Sequence, residues 1–188
     1  ASSKAAAGTS TVTITGKSSS LTHSVPVTLV IEPTISKASV TTTAGGPWQN
    51  TVIPAQTGTF TVTYDATASD SPINAAVGLS NGAQTAASGF AVLIRFNSSG
   101  NIDALNGGSY VASTISYGSG MTYHFRVVVN LSKHTYSAYV SVPSIGSPEE
   151  QAIGTNLSFG TAQKSVTQLN SWGASSTTGS ETVTNFGY

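Results

Sequence analysis

Apolar and polar residues alternate with a period of two along most of residues 58–142. This alternation predicts β-strands whose side chains point in turn toward a buried face and an exposed face. The apolar register, which we predict to form the core, comprises Phe60, Val62, Tyr64, Phe90, Val92, Ile94, Phe96, Tyr123, Phe125, Val127 and Val129. The opposite register, which we predict to form an exposed polar face, carries Arg95, Asn97, His124 and Arg126.

Turn residues separate short alternating stretches throughout the chain, and Thr, Ser, Val and Gly are abundant, which is typical of an all-β protein. The predicted strands are 47–53, 58–67, 73–80, 89–97, 101–105, 109–116, 121–131, 134–142, 149–154, 156–160, 165–173 and 181–187. Many short strands with tight turns indicate two antiparallel sheets packed face to face.

The first part of the chain forms a separate pair of predicted strands. Residues 9–16 (TSTVTITG) and 25–32 (VPVTLVIE) alternate and flank a polar turn, which predicts a β-hairpin within residues 1–32. Two strands bury too little surface to be stable alone, so we expect the hairpin to pack on the main domain, on upstream sequence or on another copy of the chain. Residues 33–46 are interpreted as a linker or edge strand.

Composition narrows the function classes. Seven basic residues balance seven acidic ones, so the chain lacks the positive charge that binds a nucleic-acid backbone or an anionic membrane surface. No apolar run approaches the roughly 20 residues that span a bilayer, and the absence of cysteine excludes disulfides and thiolate chemistry. A thiol-free β protein with few lysines is typical of secreted or cell-surface bacterial proteins, and we expect that location.

Two resemblances to known families add to these predictions. The segments TGTFTVTYDA (57–66), AAVGLSNG (75–82), AVLIRFNSSGNIDALNGGSY (91–110), YHFRVVVNLSKHTYSAYV (123–140) and TVTNF (182–186) resemble the concanavalin A-like, LamG-type jelly roll. This resemblance implies an antiparallel jelly-roll sandwich over 47–188 with a binding role on its concave sheet. The hairpin resembles the last two strands of bacterial Ig-like domains, which implies that the sequence begins partway through such a domain.

Catalysis has little support in the pattern of acidic residues. Glycosidases need two carboxylates about 5 to 10 Å apart, and no predicted strand carries two acids on one face. Jelly-roll polysaccharide lyases instead use arginine, glutamine, histidine and tyrosine on one face. The corresponding residues here would be Arg95, His124, Arg126, Tyr139 and Gln151. Lyase activity therefore remains an alternative hypothesis.

Sugar binding requires aromatic rings that stack on C–H faces and planar polar groups that bind hydroxyls. The predicted ligand-binding residues are Arg95, Asn97, Asn106, Tyr110, His124, Arg126 and Tyr139. Further candidates are Trp48, Tyr117, Gln168 and Trp172. We interpret Trp48 as a cap at the bottom of the core, and Trp172, Tyr123 and Tyr136 as core residues. For His124 and Arg126 the competing interpretation is a solvated or ion-paired sheet face.

No cofactor is expected apart from a structural calcium ion, which many jelly rolls bind through an aspartate and backbone carbonyls. Asp65, Asp70 and Asp103 are the candidate ligands. The competing interpretation is that these aspartates cap turns.

The sequence thus favours a non-catalytic carbohydrate-binding module of a secreted or cell-surface bacterial protein, with a polysaccharide or glycan as its partner. The first alternative is a structural subunit or spacer that self-associates when its hairpin adds to a neighbour's sheet. The second alternative is a jelly-roll polysaccharide lyase.

Overall fold

A computed structural model describes residues 8–31, 35–36, 39–111, 113–142 and 149–188. The N-terminal hairpin consists of β1 (Gly8–Ser18) and β2 (Leu21–Ile31), which pair with each other in a two-stranded sheet. The remaining strands are β3 (Ile35–Ser36), β4 (Val40–Thr41), β5 (Gln49–Gln56), β6 (Thr59–Ala68), β7 (Asn74–Ser80), β8 (Val92–Phe96), β9 (Ile102–Asn106), β10 (Ser109–Val111), β11 (Thr122–Asn130), β12 (Thr135–Ser141), β13 (Gln151–Ser158), β14 (Leu169–Thr178) and β15 (Glu181–Gly187).

Two antiparallel sheets form a sandwich in the described part of the chain. The six-stranded sheet has the order β10-β9-β8-β7-β14-β5. The seven-stranded sheet has the order β13-β12-β11-β6-β15-β3, and β4 pairs with β15 next to β3. The predicted all-β, two-sheet antiparallel jelly-roll sandwich with an extra N-terminal hairpin is therefore confirmed. No helix in the described ranges is long and apolar enough to cross a bilayer.

The core lies between the two sheets and follows the predicted alternation. Tyr64 of β6 stacks on Phe125 of β11 with ring centroids 4.9 Å apart, and Trp172 of β14 stacks on Phe186 of β15 at 4.3 Å. Tyr123, Tyr136 and Trp172 are all buried, which confirms their predicted place in the core. Because Trp172 belongs to one sheet and Phe186 to the other, their stacking joins the layers.

Phe90 was predicted among the core residues, and its burial is confirmed. The residue belongs, however, to a second cluster with Ala76, Leu93 and Leu105 on the outer face of the six-stranded sheet. β8 begins only at Val92, so the bend at Ala91 interrupts the alternation on which the prediction rested.

Residues of the predicted linker pair with both sheets. Val40 and Thr41 of β4 lie opposite β15, while Ala44 forms a parallel bridge with Ser176 of β14. The Oγ1 atom of Thr42 accepts a hydrogen bond from the backbone N–H of Glu181 at 2.8 Å. This part of residues 33–46 therefore matches the edge-strand interpretation, and the division of the chain into domains stays a prediction.

The observed strand boundaries differ most from the predicted ones where side chains are small or polar. The predicted strands 149–154 and 156–160 form one strand, β13, whose pairing with β12 contains a register shift. β14 extends to Thr178, beyond the predicted end at residue 173, through a run of Ala, Ser and Thr that gives little alternation. The predicted end of the hairpin at residue 32 lies outside the described residues.

The carboxyl group of Glu181 lies inside the core. Glu181 of β15 is 2% exposed, and its Oε2 atom has no hydrogen-bond partner among the described residues. Burial raises the pKa of this carboxyl group to about 8, because the charged form loses its hydration.

Candidate functional site

The predicted polar face is in fact two separate faces. Arg95 lies on β8 in the six-stranded sheet, whereas His124 and Arg126 lie on β11 in the seven-stranded sheet. All three side chains point away from the core, so the two arginines lie on opposite outer surfaces of the sandwich. The prediction that these residues share one face is therefore wrong, because alternation separates inside from outside but does not say which sheet a strand joins.

A cleft of about 190 Å³ opens on the outer face of the six-stranded sheet. Its lining residues are Trp48, Asn74, Ala76, Ala87, Arg95, Tyr110, Ser175 and Thr177. The register of the sheet explains its floor, because Ala76 of β7 lies directly between Arg95 of β8 and Ser175 of β14. The short side chain of Ala76 leaves room between longer neighbours.

Trp48 is held at the cleft by Phe90, whose ring centroid lies 4.3 Å away. Phe90 covers two glycines that face each other in the sheet, Gly78 and Gly173. A Cβ atom on Gly78 would lie 2.5 Å from Phe90, and one on Gly173 would lie 3.1 Å from it. The glycines therefore let Phe90 seat against the sheet and support Trp48. The prediction that Trp48 caps the core is wrong, since it packs on the outer face and is half-buried.

Arg95 is fixed in the cleft by a bidentate ion pair. Its Nε and Nη2 atoms donate to the two carboxylate oxygens of Asp103 at 2.9 and 2.7 Å, and Asn97 Nδ2 donates to the same carboxylate at 2.8 Å. The Arg95 side chain is 25% exposed and that of Asp103 only 6%. The hydrogen bonds to Asp103 raise the pKa of Arg95, so the guanidinium stays charged.

Tyr110 completes this arrangement. Its ring lies 3.7 Å from the Cζ atom of Arg95, in cation–π contact with the guanidinium. Burial raises the pKa of the Tyr110 hydroxyl, which keeps the phenol neutral. The cleft therefore presents two aromatic side chains, one rigidly oriented guanidinium and the polar groups of Asn74, Ser175 and Thr177.

The outer face of the seven-stranded sheet holds the other predicted residues in polar pairs. Arg126 donates to both carboxylate oxygens of Glu150 at 2.7 and 2.5 Å, and its Cζ atom lies 4.1 Å from the centre of the Tyr139 ring. The hydrogen bonds from Arg126 lower the pKa of Glu150. The arrangement matches the ion-paired interpretation of Arg126.

His124 on the same face also has a partner. Its Nδ1 atom lies 2.7 Å from Asp65 Oδ1. The second oxygen of Asp65 accepts a hydrogen bond of 2.6 Å from Asn185. Asn185 has a positive φ of 53° in an irregular part of β15, and such an irregularity redirects a side chain.

The other predicted residues lie apart from the cleft or are buried. Asn106 accepts a hydrogen bond from the backbone of Ser158 at 2.8 Å, so it links β9 to β13. Tyr117, a candidate for stacking, is 5% exposed.

The three aspartates named as calcium ligands are not brought together. Asp65 and Asp103 lie in different sheets and face opposite surfaces, while Asp70 accepts a hydrogen bond from Ser69 at a turn. Within the described ranges, no group of three or more acidic or histidine side chains lies close enough to hold a metal ion.

Three of the residues that line the cleft could not be recognised from the sequence. Asn74, Ser175 and Thr177 are ordinary polar residues of strands, and only the pairing of β14 with β7 places them beside Arg95. Trp48 was recognised as a stacking candidate, but its position before β5 did not reveal that it lies outside the core.

No family model matches this chain. The chain is 33% identical over 90 residues to a gellan lyase from Bacillus sp, an alignment that covers 46% of this chain and 4% of the enzyme. Among solved structures, a sialidase superposes with a TM-score of 0.56 and 13% identity over 79% of this chain and 15% of that protein. Arcelin-5, a lectin-like defense protein from Phaseolus vulgaris, superposes with a TM-score of 0.46 and 12% identity over 73% of this chain and 74% of that protein.

The sialidase comparison concerns the fold alone, because its sequence identity is low. It is consistent with the two-sheet sandwich described above. This chain spans a small part of the two enzymes, 4% of the gellan lyase and 15% of the sialidase. The LamG-type subdivision and the Ig-like origin of the hairpin stay predictions.

Proposed function

We propose that this domain binds a polysaccharide without cleaving it, as an accessory module of a larger secreted or cell-surface protein. The observation that carries the proposal is the cleft, where half-buried Trp48 and Tyr110 flank a guanidinium that is already held in place. Within this proposal, the sandwich is a LamG-type module and the hairpin derives from an Ig-like unit.

The chemistry of the cleft matches the two kinds of surface on a sugar ring. Pyranose rings present C–H faces that pack on aromatic side chains, and equatorial hydroxyls that pair with planar or hydroxyl groups. Trp48 and Tyr110 supply the first kind of contact, and Arg95, Asn74 and Thr177 supply the second. Because Asp103 and Tyr110 already hold Arg95, little side-chain entropy remains to be lost on binding.

The comparisons support a modular role. The sequence relative is named as a gellan lyase, and this chain spans 4% of its length. A domain of this size within a polysaccharide-degrading enzyme suits an accessory binding function, which keeps an enzyme near its substrate.

The arrangement of titratable groups supports binding rather than catalysis. General acid–base catalysis needs a proton donor or acceptor within hydrogen-bond reach of the substrate. The carboxylate of Asp103, which contacts the cleft residue Arg95, is engaged by hydrogen bonds from Arg95 and Asn97. His124, the histidine of the lyase hypothesis, lies on the opposite sheet.

The proposal is tested by retention on immobilised and gel-embedded polysaccharides, including gellan and neutral glucans. We expect the Trp48→Ala and Tyr110→Ala variants to bind about tenfold more weakly than wild type, because each removes a stacking surface. Tyr139→Ala is the matched control, since Tyr139 stacks on an arginine of the opposite sheet in the same way. Equal retention of all four proteins, or no retention on any polysaccharide, contradicts the proposal. If the protein releases unsaturated, ultraviolet-absorbing products from gellan, the proposal that the domain binds polysaccharide without cleaving it is contradicted.

A second candidate function, self-association through the hairpin, is favoured by one observation. Ile14 and Val25 lie directly opposite each other in the β1–β2 pair and are 61% and 47% exposed. An exposed apolar cross-strand pair is suited to packing on another protein surface. We expect wild type to form dimers or larger species in light scattering, and an Ile14→Ser/Val25→Ser variant to be monomeric. A monomeric wild type at high concentration refutes this candidate.

A further inference from the structure

The positive charge in the cleft is already balanced. Of the residues that line the cleft, Arg95 is the one that carries a charge at neutral pH. Its partner Asp103 lies directly opposite on β9 and accepts three hydrogen bonds, two from Arg95 and one from Asn97. The guanidinium and carboxylate together bring no net charge to the cleft.

We infer that the cleft selects an uncharged sugar ring and discriminates against uronates and sialic acids. This inference rests on the proposed carbohydrate-binding function and names the substrate class of the same site. A sugar carboxylate has two ways to interact with Arg95, and each is unfavourable.

In the first way, the sugar carboxylate displaces Asp103 from the guanidinium. Asp103 is 6% exposed, so its carboxylate would be left buried without its cationic partner, which is strongly destabilising. In the second way, the ion pair stays intact. The anion then loses part of its hydration and meets a pair of opposite charges whose attraction and repulsion largely cancel.

An uncharged ring meets neither obstacle. Asp103 occupies Nε and Nη2 of Arg95, which leaves Nη1 to donate to a sugar hydroxyl. The hydroxyl groups of Ser175 and Thr177 donate to the backbone carbonyls of Gly46 and Asn74, so each offers its oxygen as an acceptor to a sugar hydroxyl. The side-chain amide of Asn74 can both donate and accept. The volume of about 190 Å³ lies below the roughly 300 to 1,000 Å³ of ordinary ligand pockets, so the cleft suits one ring.

The experiment compares matched neutral and acidic sugars on the full chain. The probes are the methyl glycosides of glucose, galactose and mannose, each against its uronate, together with the methyl glycoside of sialic acid. Binding is followed by amide and indole N–H chemical shifts, with the Trp48 indole reporting on the cleft. We expect at least one neutral glycoside to bind about tenfold more tightly than its uronate, and its affinity to stay constant between about 0.05 and 0.5 M NaCl.

A charge substitution tests the cause. Asp103→Asn keeps the shape of the side chain but leaves Arg95 without a counter-charge, so we expect uronate affinity to rise about tenfold. Glu150→Gln is the matched control, because it removes the carboxylate from the equivalent bidentate pair on the opposite sheet. We expect no change in either sugar's affinity for that variant.

The outcomes separate this inference from the proposed function. If a uronate shifts the Trp48 indole of wild type as strongly as its neutral counterpart, the inference is overturned and carbohydrate binding stands. If no sugar of either class shifts it, both are overturned. Should Asp103→Asn fail to fold, the wild-type comparison of matched sugars still decides the question.

Discussion

Substituting Glu181 by glutamine removes an ionisable group from the core while keeping the size of the side chain. In the wild type, burial raises the pKa of this carboxyl group from its ordinary value of 4.5 to about 8. The folded protein therefore holds a proton at Glu181 at pH values where the unfolded chain has released it. Glutamine stays neutral at every pH, so the Glu181→Gln variant isolates the effect of ionisation.

The sign and size of the effect follow from proton linkage. Stability falls with rising pH wherever the folded state binds more protons than the unfolded state, which for Glu181 is the interval from 4.5 to about 8. At about 1.4 kcal/mol per pH unit, this interval corresponds to on the order of 5 kcal/mol lost from the free energy of unfolding. Below pH 4.5 both states are protonated, and above pH 8 both are charged, so the loss is confined to that range. Because the free energy of unfolding of a typical domain is about 5 to 15 kcal/mol, a loss of this size is a large part of the total.

The measurement is urea unfolding between pH 4 and pH 9, followed by fluorescence and circular dichroism. We expect wild type and Glu181→Gln to have similar stability at pH 4, and the variant to be more stable by several kcal/mol at pH 9. The control is Glu149→Gln, because Glu149 is exposed, and this variant should follow the wild-type pH profile. Parallel profiles of wild type and Glu181→Gln from pH 4.5 to 8 refute the reasoning.

Three further predictions concern packing and polar contacts. Gly78→Ala places a Cβ atom 2.5 Å from Phe90, so we expect the free energy of unfolding measured in urea to fall by about 1 to 3 kcal/mol. We also expect weaker retention on glycans, because Phe90 supports Trp48. Tyr136→Phe removes the hydroxyl that donates to backbone carbonyls of β8 and β9 across the core, and we expect it to cost about 1 to 3 kcal/mol of thermal and urea stability. Arg126→Ala breaks an ion pair whose side chains are 35% and 39% exposed, so we expect the free energy of unfolding to fall by at most about 1 kcal/mol. This loss should be measurable above pH 5 and should vanish in acid, where Glu150 is protonated.

The alternation of apolar and polar residues was enough to predict most strands of the sandwich. Strands such as β6, β11 and β12 alternate cleanly between buried and exposed residues, because each has one face in the core. The pattern fails where both faces of a strand are covered. β7 is buried at nearly every position, since Phe90 and its neighbours cover its outer side, and this second cluster has no signature at period two.

The candidate site was only partly predictable, for a related reason. Arg95 and Arg126 occupy the same polar register of their strands, but their sheets are set by long-range pairing that alternation does not encode. Their ion-pair partners Asp103 and Glu150 were not predicted, and Asp103 was considered only as a calcium ligand. Trp48 was interpreted as a cap at the bottom of the core. The glycine pair that lets Phe90 support it on the outer face becomes visible only in the register of β7 against β14.

The crossing of residues 40–46 from β15 to β14 has a practical consequence for recombinant work. Cloning boundaries placed at residue 47 would remove the Thr42 hydroxyl that holds the backbone of Glu181, and the bridge from Ala44 to Ser176. The edge of β15 would then present unpaired backbone groups to solvent and to other molecules. Expression plasmids that keep both β3 and β4 should yield monodisperse material, because both strands cover the edge of β15. A plasmid that starts at residue 47 should yield protein that precipitates.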